Sequence, residues 1–147
     1  MQLLSAISTY ICFLLWPTLF PIDSGEIEIT VKNITSVSGD APLMVAVYER
    51  SGFLKDGAEV IAFDTISTAP VCKIILKEVP PGEYAVAIYQ DLNNNGKLNK
   101  NLLGIPKEPV GFSNNFTIQL RAPEFKNTKF LVKKQATTNV EITLLEY

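Results

Sequence analysis

The 147-residue chain contains no histidine and only two cysteines. Without histidine, the Ser-His-Asp and Cys-His catalytic arrangements and every histidine metal ligand are excluded. Two cysteines are too few for a scaffold of several disulfides or for a four-cysteine zinc site. Thirteen basic residues against fifteen acidic residues give a net charge of −2, so there is no basic excess to bind nucleic acid. These absences leave oxygen ligands, backbone groups and shape as the means by which the protein can act.

Residues 1–22 contain no charged residue, and 47% of the whole chain is hydrophobic. An uncharged apolar stretch at the N-terminus, broken here by Pro17 and Pro21, is typical of a secretory signal peptide. We therefore predict a signal peptide over residues 1–24, which makes the protein secreted or periplasmic. An uncleaved membrane anchor and a buried N-terminal strand or helix are the alternatives. Cleavage would leave Cys72 as the only cysteine and the mature protein without an internal disulfide.

Residues 25–147 show the alternation of apolar and polar residues that is typical of β-strands. No window has the apolar spacing of an amphipathic helix. About seven short strands with turn residues between them predict a single all-β domain, a β-sandwich. The predicted strand segments are 26–32, 43–48, 60–63, 71–76, 84–89, 116–120, one within 125–132, and 140–145.

The most informative motif is D-x-N-x-N-G-x-L-N, which runs from Asp91 to Asn99. It places oxygen-bearing side chains at relative positions 1, 3, 5 and 9 and glycine at position 6, as in the first nine positions of an EF-hand-type calcium loop. Alternate residues of such a loop point inward, where Ca²⁺ takes roughly six to eight oxygen ligands. Glu108 is the nearby acidic residue that could complete the set. The predicted calcium ligands are Asp91, Asn93, Asn95, Lys97 (through its backbone carbonyl), Asn99 and Glu108.

The same loop departs from an EF-hand in two ways. Leu102 stands at position 12 instead of the bidentate glutamate, and no helical pattern flanks the loop. Between residues 91 and 108, two acidic residues stand against three lysines, so mostly neutral oxygens would replace the hydration shell of the cation and the affinity should be weak. The alternative interpretation is an asparagine- and glycine-rich turn held by Asx hydrogen bonds, without a metal.

Two further motifs follow over residues 104–125, G-I-P-x-E-x-x-G-F-S-N and A-P-x-F. Together with D-x-N-x-N-G, they make the sequence resemble a family of small secreted bacterial proteins of unknown function. The resemblance implies an exported protein with an immunoglobulin- or prealbumin-like sandwich, and it implies no known activity. Members of that family often carry aspartate where this chain has Asn99, which removes one charge from the predicted calcium site. The P-P-G-x-Y segment at residues 80–84 also resembles the turn before a core strand in prealbumin-like domains.

These features predict an exported, non-enzymatic β-sandwich that acts as a binding or accessory module. Its partner is expected to be a protein or carbohydrate of the cell envelope, with membrane contact only through the N-terminal segment. Loops on rigid scaffolds often carry function, so we place the binding edge between residues 91 and 115. Two other classes stay open: a hydrolase that uses Asp91 and Glu108 as a carboxylate pair, and a structural envelope protein. Ser113 is not expected to be a nucleophile, because no histidine can activate it.

Overall fold

The computed structural model describes residues 23–36, 41–55, 61–65, 69–119 and 121–147. The predicted signal peptide lies outside these residues, apart from its last two positions. Eight strands are present in the described part of the chain: β1 (Gly25–Lys32), β2 (Leu43–Tyr48), β3 (Ile61–Thr65), β4 (Val71–Val79), β5 (Gly82–Gln90), β6 (Val110–Phe112), β7 (Phe130–Val132) and β8 (Thr137–Thr143).

Helical structure in the same residues is limited to single turns. One α-helical turn, α1, covers Phe125–Thr128, and two 3₁₀ turns cover Arg50–Gly52 and Ser113–Asn115. None of the described helices is long and apolar enough to cross a membrane.

The strands form two sheets. One has the order β4-β1-β8, and the other has the order β3-β2-β5-β6, with β7 paired to the start of β5. Strand β1 runs antiparallel to β4 but parallel to β8. A parallel pair needs a long connection between its strands, and here the second sheet is formed by the chain between them. The predicted all-β sandwich is confirmed.

The core lies between the sheets because buried and half-exposed residues alternate along the central strands. In β1, Ile27, Ile29 and Val31 are buried while the residues between them are half-exposed. The facing sheet contributes a matching set from β2 and β5, including Val45 and Ile88. Fully burying an aliphatic side chain of this size contributes about 1.5–3 kcal/mol, so these alternating positions supply the main driving force for the fold.

One predicted strand differs from the structure. Residues 116–119 of the strand predicted at 116–120 are not in a strand. Asn114 and Asn115 have φ angles of 60° and 49°, a left-handed conformation that turns the chain away from the sheet after β6. The strand predicted within 125–132 is present as β7, Phe130–Val132, and Phe125–Thr128 forms the helical turn before it. The error at 116–120 follows from apolar alternation that is present in the sequence but is not used for sheet pairing.

Candidate functional site

The predicted site lies in the Asn-rich loop, residues 91–109, which connects β5 to β6. The two strands are antiparallel neighbours, with Tyr89 opposite Val110, so both ends of the loop meet at one edge of the sheet. Backbone bonds close its base: the Gln90 amide donates to the Pro109 carbonyl at 2.9 Å, and the Asp91 amide donates to the Pro42 carbonyl at 2.9 Å. The loop is therefore anchored at its base to the sandwich.

A buried glutamine strengthens this base. The side chain of Gln90 accepts a hydrogen bond from the Thr35 amide at 2.9 Å and donates one to the Thr35 carbonyl at 2.8 Å. This pair of bonds mimics a strand pairing and ties the end of β5 to the segment after β1. The sequence predicted no role for Gln90, because nothing local indicates which distant backbone a buried amide will meet.

Asp91 shapes the first turn of the loop. Its side chain is 0% exposed. One carboxylate oxygen accepts the Asn95 amide at 3.2 Å, and the other accepts the Gly96 amide at 2.6 Å. The turn passes through left-handed conformations at Asn94 and Gly96, with φ angles of 54° and 72°, which asparagine and glycine adopt most readily. The residue types of the motif thus match the backbone that they form.

Three asparagine side chains of this loop form hydrogen bonds with one another. The amide groups of Asn93 and Asn95 both donate to Oδ1 of Asn99, at 2.7 and 3.0 Å. Oδ1 of Asn95 accepts the backbone amide of Lys97 at 2.9 Å. A half-turn of an amide side chain exchanges its oxygen and nitrogen; it would direct the oxygens of Asn93 and Asn95 toward Oδ1 of Asn99 and would break the bond from the Lys97 amide.

Glu108 closes the cluster from the other end of the loop. It is 4% exposed, and its Oε2 accepts the Asn99 amide at 2.8 Å. Its Oε1 is buried and has no hydrogen-bond partner among the described residues. An unsatisfied buried polar atom costs about 1–3 kcal/mol, and more when the group is charged. This oxygen is the one buried side-chain polar atom of the described residues that lacks a partner.

Both carboxylates of the site raise the pKa of the Tyr89 hydroxyl. Burial is the first cause that raises the pKa of its hydroxyl, and the negative charges of Asp91 and Glu108 raise it further. A charge acts in this way only over short distances, because water and salt screen it. Asp91 lies two residues after Tyr89, and Glu108 lies two residues before Val110, the strand partner of Tyr89, so the charges of both carboxylates act on this hydroxyl.

Hydrogen bonds connect all six predicted residues in one cluster, Lys97 through its backbone amide and not through the carbonyl predicted as a ligand. Hydrogen bonds link Asp91 to Asn95, Asn95 to Asn99, and Asn99 to Glu108. The described residues contain no group of three or more histidine, cysteine or acidic residues that could hold a metal. A cation here would depend on two carboxylates and on neutral amide and backbone oxygens.

Two more polar residues of this region hold structure. Asn101 accepts the amides of Leu103 and Ile105 on its side chain, at 2.9 and 3.0 Å. Ser113 is fully buried, where its hydroxyl donates to the Thr128 carbonyl at 2.5 Å and accepts the Val86 amide at 2.9 Å. Ser113 thus joins β5 to α1, and its hydroxyl is not accessible to a substrate.

Comparison with known proteins gives a family but no activity. No curated protein and no solved structure shows significant similarity to this chain. The family model described as "Uncharacterized protein conserved in bacteria (DUF2141)" matches residues 29–140, which include most of both sheets and the whole Asn-rich loop. The chain belongs to this bacterial family of uncharacterized proteins.

Proposed function

We propose that the protein is an exported, non-enzymatic β-sandwich whose Asn-rich loop binds a calcium ion and serves as the binding edge of the module. The observation that carries the calcium proposal is Glu108 Oε1, a buried carboxylate oxygen without a partner among the described residues. It lies in the same hydrogen-bonded cluster as the buried carboxylate of Asp91.

The donor set suits a hard cation. Calcium prefers carboxylate, amide and backbone oxygens, which are the groups that Asp91, Asn93, Asn95, Asn99 and Glu108 offer. A bound calcium ion would supply a positive charge that offsets the burial of two carboxylates. With only two charged ligands, we expect a dissociation constant of roughly 10⁻⁴–10⁻³ M, in the range of extracellular calcium modules.

Thermal melting with calcium or with chelator tests the metal. At a calcium concentration of ten times Kd, binding to the folded state adds about 1.4 kcal/mol of stability, which raises Tm by about 3–5 °C for a domain of this size. Magnesium serves as the comparison ion, because it requires a tighter octahedral shell.

Matched variants locate the site. Glu108→Gln keeps the shape of the side chain and removes its charge, so it should abolish the calcium-dependent rise in Tm. The control is Glu124→Gln, which removes an exposed glutamate paired with Lys126 at 2.7 Å; its response to calcium should match that of the original protein. Identical midpoints with calcium and chelator, together with no heat of binding by calorimetry, would refute the calcium proposal.

One physical reason favours a binding module over a hydrolase. Both oxygens of Asp91 accept backbone amides, and neither Asp91 nor Glu108 is more than 4% exposed. A carboxylate pair for hydrolysis must reach a substrate and a water molecule. We propose instead that the exposed side of the Asn-rich loop meets a protein or carbohydrate of the cell envelope, as expected for a secreted or periplasmic module.

A further inference from the structure

Two leucines protrude from the end of the Asn-rich loop. Leu102 is 105% exposed and Leu103 is 84% exposed, more than any other large hydrophobic residue among those described. They occupy the end of the leucine tip, which we define as residues 99–107. Single exposed leucines are common on protein surfaces, but two adjacent and almost fully exposed leucines place a continuous apolar surface in water.

The leucine tip is closed by its own hydrogen bonds. Lys100 and Pro106 form an antiparallel bridge, and the Lys107 amide donates to the Asn99 carbonyl at 2.9 Å. Beyond the bridge, the Asn101 amide donates to the Ile105 carbonyl at 2.8 Å. The Asn101 side chain also accepts the two amides described above, so this short hairpin is locked on both sides. These bonds fix the backbone of the hairpin that carries the two leucines.

Three lysines lie in the leucine tip or next to it in the sequence. Lys97, Lys100 and Lys107 are exposed, and no acidic residue lies between positions 97 and 107. None of the ion pairs among the described residues includes any of these three lysines, whereas six other cationic residues are paired with carboxylates. The adjacent acid, Glu108, is buried and turned toward Asn99. Three exposed lysines without an ion pair among the described residues therefore lie in the leucine tip (Lys100, Lys107) or two residues before it (Lys97).

We propose that the leucine tip binds an anionic lipid surface, with Leu102 and Leu103 inserted at the level of the headgroups and the lysines on lipid phosphates. Apolar side chains flanked by lysines are the combination that holds peripheral proteins on anionic bilayers. The leucines lie at the end of a protruding hairpin, and a lipid interface accepts such a convex end without a matching groove. This contact is additional to any made by the N-terminal segment or by the rest of the Asn-rich loop, and it does not depend on the calcium proposal.

Vesicle flotation in calcium-free buffer tests the proposal. The protein should bind vesicles made of equal parts phosphatidylcholine and phosphatidylglycerol. It should bind much more weakly to vesicles of phosphatidylcholine alone. Each lysine near an anionic surface contributes about a fivefold gain in binding, so Lys100→Gln with Lys107→Gln should weaken binding about 25-fold. Leu102→Ser with Leu103→Ser should weaken binding at least about tenfold, because two apolar side chains no longer leave water. High salt should release most of the bound protein, because it screens the lysines.

Matched controls separate the tip from general effects. Lys77→Gln with Lys133→Gln removes two exposed lysines elsewhere and gives the same change in net charge. Leu131→Ser replaces a leucine that is 54% exposed and lies opposite Glu83, at the end of β5 away from the tip. Both controls should bind vesicles like the original protein. No binding to the anionic vesicles, or equal losses in the tip variants and the controls, would overturn the proposal; unchanged melting curves show that the variants are folded.

Discussion

Ser113→Ala is the substitution whose effect follows most directly from the structure. The change removes one oxygen and leaves the Val86 amide and the Thr128 carbonyl without the partner that they have at 2.9 and 2.5 Å. The hydroxyl is fully buried, so water has no direct route to replace it. An orphaned buried donor or acceptor costs about 1–3 kcal/mol. Two of them lower the free energy of unfolding by about 3 kcal/mol, after allowing for partial relaxation.

Urea denaturation and thermal melting measure this loss. For a domain of this size, about 3 kcal/mol corresponds to a decrease in Tm of about 10 °C. The m-value should stay constant, because the surface exposed on unfolding is the same. Ser51→Ala is the control, since Ser51 is exposed on a 3₁₀ turn and should change stability by less than about 0.5 kcal/mol.

Hydrogen exchange gives an independent reading. The Val86 amide of Ser113→Ala should exchange faster relative to neighbouring β5 amides that keep their strand partners. A Tm within about 2 °C of that of the original protein, instead of the expected decrease of about 10 °C, would refute the reasoning, as would unchanged protection at Val86.

Two further changes test the sheet and its surface charges. Gly111→Ala adds a Cβ that would lie 2.6 Å from Cγ2 of Ile142 and 2.9 Å from the Thr143 carbonyl, so overpacking should cost about 1–3 kcal/mol in urea denaturation; an unchanged midpoint would contradict this contact. Hydrogen bonds from Lys129 and Arg50 lower the pKa of Glu83 below 4.5 in the folded state. The stability that ionised Glu83 contributes is therefore present above pH 4.5 and is lost as the pH falls through the lowered pKa. The difference in Tm between the original protein and Glu83→Gln should accordingly disappear in acid. A difference in Tm that stays constant with pH would contradict this role of Glu83.

Much of the fold follows from local sequence pattern. The alternation in β1 predicted which of its side chains are buried, because successive residues of a strand point to opposite faces. The apolar run at 43–48 correctly indicated a strand, and the structure pairs this strand, β2, on both sides. The same alternation misled at 116–120, where Asn114 and Asn115 turn the chain away from β6 before a further pair can form.

For the site, the sequence by itself determined the residue types and the turns. Asparagine and glycine favour left-handed conformations, and an aspartate at the start of such a turn can accept its amides; these are short-range effects encoded by neighbouring residues. Only the tertiary structure decided that Glu108 returns to Asn99, that both carboxylates are buried, and that Glu108 Oε1 has no described partner. The physical reason is the antiparallel pairing of β5 with β6, which brings the two ends of the loop to one edge of the sheet. Burial and partners over such distances depend on how the strands pack, and local pattern carries no information about them.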